Sequence, residues 1–201
     1  MRRKLKLPVY ILFLFLALLT VYGLLTSANY PQADAPAKTE ENLTGTKVSK
    51  EEFVERVAPA AQKVQAAYGI RASIIIAQST LESNFGQSKL ASKYNNLFGV
   101  KSFGKEKRVK LETKEYVDGK WITIKDYFVW YKSWDDSIFS HAQLMRDGVD
   151  WDKDKYEQVI SADNYKDAAE ALQEAGYATD PTYADKLIEV IEQYKLYEYD
   201  K

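Results

Sequence analysis

Two carboxylates in this sequence stand where an ionised carboxylate is costly. Glu82 lies at the end of the segment Arg71 to Ser83, whose run Ser73-Ile74-Ile75-Ile76-Ala77 reads as a helix apolar around its whole girth, hence buried. A carboxylate in the last turn of such a helix leaves an apolar interior and faces the negative end of the macrodipole. Both effects disfavour the charged form and raise the pKa. A carboxylic acid that keeps its proton near neutral pH can protonate a leaving oxygen, the work of a general acid. The competing reading of Glu82, taken by itself, is a solvated last-turn residue.

The second carboxylate is Glu115. Val109 to Val117 and Lys120 to Val129 read as two strands joined by Asp118-Gly119, a two-residue hairpin signal. That turn sets Val117 against Lys120, Glu115 against Ile122, Thr113 against Ile124 and Leu111 against Asp126. One face then carries Leu111, Thr113, Val117, Ile122, Ile124 and Phe128, and Glu115 interrupts it. A carboxylate in that position should have a perturbed pKa and is a functional candidate; the alternative is an exposed residue near the hairpin tip. Glu112 falls on the opposite face across from Lys125, an ordinary cross-strand ion pair pointing away from any cleft.

The elements that must hold these groups are legible from caps and periodicity. Ser49 with Glu52 forms a capping box, and Phe53, Val57, Ala61 and Val64 follow at helical spacing until Gly69. Gly86 is placed to stop the helix that bears Glu82. A short helix runs from about Ser88 to Tyr94 and is broken by Asn95-Asn96, which either form a turn or line a cleft beside Glu82. Ser133 caps a helix striped by Trp134, Ile138, Ala142 and Met145. His141 on that helix reads as structural. Asn164 caps the next helix, closed by Gly176, and Asp180-Pro181 starts the last, with Tyr183, Leu187, Ile191 and Tyr194 as its buried face.

Composition limits the chemistry. The 201 residues contain no cysteine and one histidine, so thiolate catalysis and disulfides are excluded and a zinc site is not expected; neither metal nor cofactor is called for. At the N-terminus, Arg2, Arg3, Lys4 and Lys6 precede an uncharged run from Leu7 to Ala28. That run is nearer the ~20 residues of a spanning helix than the ~7–15 of a signal-peptide core. Residues 1–28 are therefore read as a membrane anchor with the remainder outside, or else as a signal peptide cut near Thr26-Ser27-Ala28. Residues 29–48 read as a flexible stalk and 49–201 as one domain. Setting aside the four basic anchor residues leaves 24 basic against 29 acidic, a poor balance for binding nucleic acid.

The words LESNFGQSKLA and YNNLFGVK resemble the glucosaminidase family of bacterial peptidoglycan hydrolases, whose pattern is Gln-x-x-x-Glu-Ser-x-x-Gly-x-Ser-x-Leu-Ala followed by Asn-Asn-Leu-Phe-Gly-x-Lys. The likeness continues through TKEYVDGKW, YKSWDDSIFSHAQLM and YATDPTYADKL, about residues 50–197. It implies a mainly α, lysozyme-like α+β domain with a β-hairpin lobe, cleaving the β-1,4 bond after N-acetylglucosamine in an endo manner; the chain is expected to act as a monomer. By that resemblance Glu82 is the catalytic acid, Glu115 the second catalytic carboxylate and Tyr177 the functional tyrosine, while Tyr183 reads as core. Asn95, Asn96, Phe98, Tyr116 and Trp121 become the sugar-contacting candidates, although Phe98 also suits the core and the Tyr116–Trp121 pair could merely shield the hairpin. A lytic transglycosylase or muramidase, and an inactive wall-binding module, are the competing readings.

Overall fold

The computed structural model describes residues 48–104, 106–117 and 120–201, and for 114–117, 120 and 121 the backbone alone. The expected anchor and most of the stalk lie outside these residues. Among the described residues no helix is long and apolar enough to cross a membrane.

Among the described residues, seven helices and one hairpin follow in the order α1 Lys50–Tyr68, α2 Ala72–Ser83, α3 Lys89–Tyr94, β1 Arg108–Val117, β2 Lys120–Val129, α4 Trp134–Asp147, α5 Glu157–Ser161, α6 Tyr165–Glu174 and α7 Tyr183–Gln193, with a 3-10 turn at Leu196–Tyr199. The Ser49–Glu52 capping box is present with both of its bonds, and Gly69 ends α1 in the left-handed region. Ser133 and Asn164 cap α4 and α6 as their positions predict. Helix α5 has no counterpart in the sequence reading; with five residues it is too short to show a period. Helix α7 begins at Tyr183 rather than at Pro181, because Asp180 Oδ1 first accepts the Thr182 amide and hydroxyl in a turn of its own.

Helix α2 is the axis of the domain, packed by α1, α4, α6, α7 and the final 3-10 turn. Ile74, Ile75 and Ile76 are fully enclosed, each contributing roughly 1.5–3 kcal/mol of burial. Its N-terminus has no cap of its own. Asp200 supplies one, accepting the Ser73 amide at 2.8 Å and the Ser73 hydroxyl at 2.7 Å, which places a carboxylate at the positive end of the helix dipole.

The stop at the other end differs from expectation. Asn84, not Gly86, is the left-handed cap, and Asn84, Phe85 and Gly86 all have positive φ, at 51°, 54° and 71°. Such a φ is costly for an aromatic residue, but Phe85 reaches the core through it, meeting Phe53 and Tyr194 edge-on. Gly86 is needed for space as well as φ: a Cβ there would lie 2.6 Å from the Trp134 ring. The Ser83 hydroxyl accepts the Gly86 amide at 2.7 Å and ties the turn to the helix.

The hairpin has the register read from its turn, including Glu115 opposite Ile122 and Glu112 opposite Lys125. Its apolar face is buried at the base, at Phe128, half-buried at Leu111, Thr113 and Ile124, and open at Ile122, which is 41% exposed. The base is held by Ser102 and Val129 amides bonded to Tyr127 and Val100 carbonyls, and by Lys101, 3.0 Å from Asp126.

Candidate active site

A cleft of 790 Å³ runs between the end of α2 and the hairpin, lined by Glu82, Ser88, Phe98, Lys101, Lys110, Leu111, Thr113 and Phe128, among others. The α2 stop puts Glu82 at its wall. As a residue Glu82 is exposed, because one side opens on the cleft; the other side of its carboxyl is crowded by protein. That desolvation raises its pKa above the ordinary carboxylate value, and a hydrogen bond from Tyr183 pulls it back. Water in the open cleft limits the rise, and a ligand that displaced that water would increase it.

Tyr183, read as core, is 5% exposed and does belong to the core, yet its hydroxyl donates to Glu82 Oε1 at 3.0 Å. Tyr177 lies behind it, the two rings stacked with centroids 5.6 Å apart. Burial raises both phenols, next to one another and to Glu82, so neither ionises near neutral pH. The tyrosine in hydrogen-bond contact with Glu82 is therefore Tyr183. The signal for it in the sequence is the start of α7, where a Tyr at the first helical position can point back along the neighbouring helix.

The asparagines do internal work. Asn95 Nδ2 donates to the carbonyls of Tyr131 and Lys132 at 3.1 and 3.0 Å. Asn96, 1% exposed, donates to Val100 and Val129 carbonyls and accepts the Val100 amide, all at 2.9 Å. Its side-chain amide thus pins the hairpin to α3; Asn96 lines the cleft with its bonding capacity already committed. Phe98 is both core and cleft wall, 5% exposed and stacked on His141 at 3.9 Å.

The backbone of Glu115 pairs with Ile122 and that of Tyr116 with Trp121; the side chains of Glu115, Tyr116 and Trp121 lie outside the described residues. Glu112 departs from the expected orientation. It pairs with Lys125 at 3.8 Å as the register requires, but both residues line the cleft. A lone two-stranded ribbon has no second layer behind it, so its nominal outer face stays open to the groove beside it.

Gln78, fully enclosed on α2, is the Gln of the Gln-x-x-x-Glu pattern, to which the sequence reading gives no role. The signal for it is its spacing of one helical turn from Glu82, which puts the two on one face. Gln78 Nε2 lies 3.4 Å from Tyr183 Oη and Gln78 Oε1 lies 3.1 Å from His141 Nε2. Among the described residues no group of three or more His, Asp or Glu could hold a metal ion.

A family model described as mannosyl-glycoprotein endo-beta-N-acetylglucosaminidase, the Glucosaminidase family, matches residues 58–196. The chain is 42% identical over 200 residues to the exo-glucosaminidase LytG of Bacillus subtilis, covering 99% of this chain and 68% of that protein. A probable N-acetylmuramidase of Lactococcus lactis is 37% identical over 76% of this chain, which spans 35% of that relative. Among solved structures, the catalytic domain of the autolysin Auto from Listeria monocytogenes matches with a TM-score of 0.72 and 38% identity, over 79% of this chain and 91% of that one.

Proposed function

The chain belongs to the glucosaminidase family and is a glycoside hydrolase acting on peptidoglycan, and on that premise we propose that it cleaves the β-1,4 bond after N-acetylglucosamine with Glu82 as general acid. The observation that carries this is Glu82 itself: a carboxyl with raised pKa, open to a sugar-sized cleft on one side and bonded by Tyr183 on the other. The protonated carboxyl gives its proton to the leaving oxygen, and Tyr183 then stabilises the charge that remains.

For the second step we assign Glu115 as the base that activates water. Support comes from its position on the cleft strand, opposite Ile122. This reading needs roughly 6.5–9.5 Å between the carboxyl groups, whereas a nucleophile would need ~5–5.5 Å. Glu115→Gln then loses activity comparably to Glu82→Gln. A much smaller loss favours attack by the substrate's own acetamido group with Tyr177 or Glu115 assisting.

Four lysines line the cleft, Lys89, Lys101, Lys110 and Lys125, against Glu82 and Glu112, although the domain as a whole is acidic. This local excess suits the carboxylates of a peptide-bearing wall glycan. Tyr116 and Trp121 are assigned to stacking on the sugars. The lysozyme-like arrangement, an extracytoplasmic location and a membrane anchor in residues 1–28 complete the reading; the anchor rests on the uncharged Leu7 to Ala28 run behind four positive charges.

Digestion of purified peptidoglycan tests the whole. N-acetylglucosamine at the new reducing ends supports the proposal. N-acetylmuramic acid there would instead favour the chemistry for which the lactococcal relative is named. A rapid fall in glycan-strand length marks endo attack; release of small products alone would put the enzyme with the exo-acting Bacillus relative. Activity should survive chelation by EDTA.

A further inference from the structure

We propose that Gln78 and His141 are positioning residues for the acid: they orient the Tyr183 hydroxyl so that it donates to Glu82 Oε1, leaving Oε2 to carry the proton delivered to substrate. The inference rests on the general-acid reading above. Its starting point is an anomaly of packing. Gln78 is fully enclosed and His141 2% exposed, two long polar side chains that meet inside the core from α2 and α4. Such groups are costly unless bonded, and these are bonded to each other and toward the active site.

The direction of the bonds follows from the chemistry of each atom. The Gln78 carbonyl oxygen faces His141 Nε2 at 3.1 Å, so the imidazole must donate from Nε2. The Gln78 amide nitrogen then donates to Tyr183 Oη at 3.4 Å, occupying the lone pair on that side. The hydroxyl proton is left to point at Glu82 Oε1, 3.0 Å away. Every link donates toward the carboxylate, so each polarises the next and the chain favours negative charge on Oε1.

His141 is built to stay in one state. Phe98 stacks on it at 3.9 Å and Tyr177 meets it edge-on at 5.6 Å. Burial pushes its pKa down to about 3, so the ring stays neutral with one donor and one acceptor. The ionisable groups around the chain are Glu82 on α2, Tyr183 on α7, Tyr177 in the preceding loop and Tyr156 beside α5, with Lys101 on the facing wall of the cleft. Burial holds all three phenols high, Tyr156 up to about 12. The carboxyl of Glu82, its pKa raised by burial, is the acidic group toward which the chain donates.

The only histidine in the sequence gives the test a single signal. In protein labelled with nitrogen-15 at histidine, NMR should show a neutral imidazole protonated at Nε2 throughout roughly pH 5 to 8. Protonation at Nδ1, or titration near the ordinary histidine value, overturns the proposal without touching the role of Glu82. In the full-length enzyme, Gln78→Met and His141→Leu should lower kcat about 10-fold. They should also move the basic limb of the pH–rate profile upward by about half to one pH unit, because the bond favouring ionised Glu82 is loosened. His141→Gln, which can donate from nearly the same point, should bring the limb back. An unmoved limb in folded Gln78→Met and His141→Leu proteins overturns the proposal. Retained activity in Glu82→Gln would sink the general-acid reading instead, and the imidazole spectrum tells the two failures apart.

Discussion

The two walls of the cleft are built on different principles. Helix α2 is packed on all sides and capped at its start by a residue 127 positions away, so Glu82 is held by the tertiary core of the whole domain. The hairpin is held at its base by a few backbone bonds, Asn96 and the Lys101–Asp126 pair, and Ile122 on its apolar face is exposed. One wall fixes a desolvated carboxyl; the other is a ribbon laid along the cleft. Precision therefore belongs to the helical wall, and adaptability to substrate belongs to the hairpin wall.

The largest effect that should expose this contrast is Glu82→Gln. With Glu82 as the proposed general acid, activity should fall by about 10²–10⁴. Stability should move the other way. With its pKa raised in the fold, Glu82 favours folding below its unfolded pKa and loses that contribution as pH rises through the folded value. Thermal melts of Glu82→Gln should therefore exceed the parent at pH 8 and match it near pH 4; equal melts at both would show an acid that is not desolvated.

Next comes Gly86→Ala at the end of α2. The added Cβ meets the Trp134 ring and sits at a φ of 71°, so a loss of about 2–4 kcal/mol in denaturant unfolding is expected. No comparable loss should follow from any single change at the exposed part of the hairpin. A Gly86→Ala protein as stable as the parent would mean the α2 stop can relax and is not the rigid wall described.

A graded effect follows from His141. Its pKa of about 3 in the fold means the unfolded chain takes up the proton first as pH drops. Stability is then lost between the ordinary value near 6.5 and the folded value, at up to about 1.4 kcal/mol per pH unit. His141→Gln should flatten that part of a stability–pH curve, and an unchanged slope would place the acid sensitivity elsewhere.

The smallest effect is assigned to Glu112→Gln. The Glu112–Lys125 pair is about two-thirds exposed on both sides and 3.8 Å long, worth at most ~0.2–1 kcal/mol of stability. Because Glu112 lines the cleft, its loss should show in KM rather than in kcat. A fall in kcat as large as that of Glu115→Gln would reassign the second carboxylate to Glu112.

Local rules make much of this molecule legible in its sequence. Capping at Ser49, Ser133 and Asn164 marks helix starts because a side-chain oxygen and an orphan amide are neighbours along the chain. The hairpin register follows from Asp118-Gly119 because strand pairing counts outward from a two-residue turn. Glu82 is recognisable because the end of an apolar helix is an electrostatically awkward place for a carboxylate. What escapes such rules depends on distant contacts. Asp200 caps α2, Gly86 makes room for Trp134, and Asn96 spends its amide on the hairpin. The choice between Tyr177 and Tyr183 is of the same kind. Both are tyrosines in one short motif, and only the crossing of α7 over α2 decides which hydroxyl reaches Glu82 and which ring stacks behind it. Sequence determines where polar groups sit along each element; packing between elements determines which of them meet.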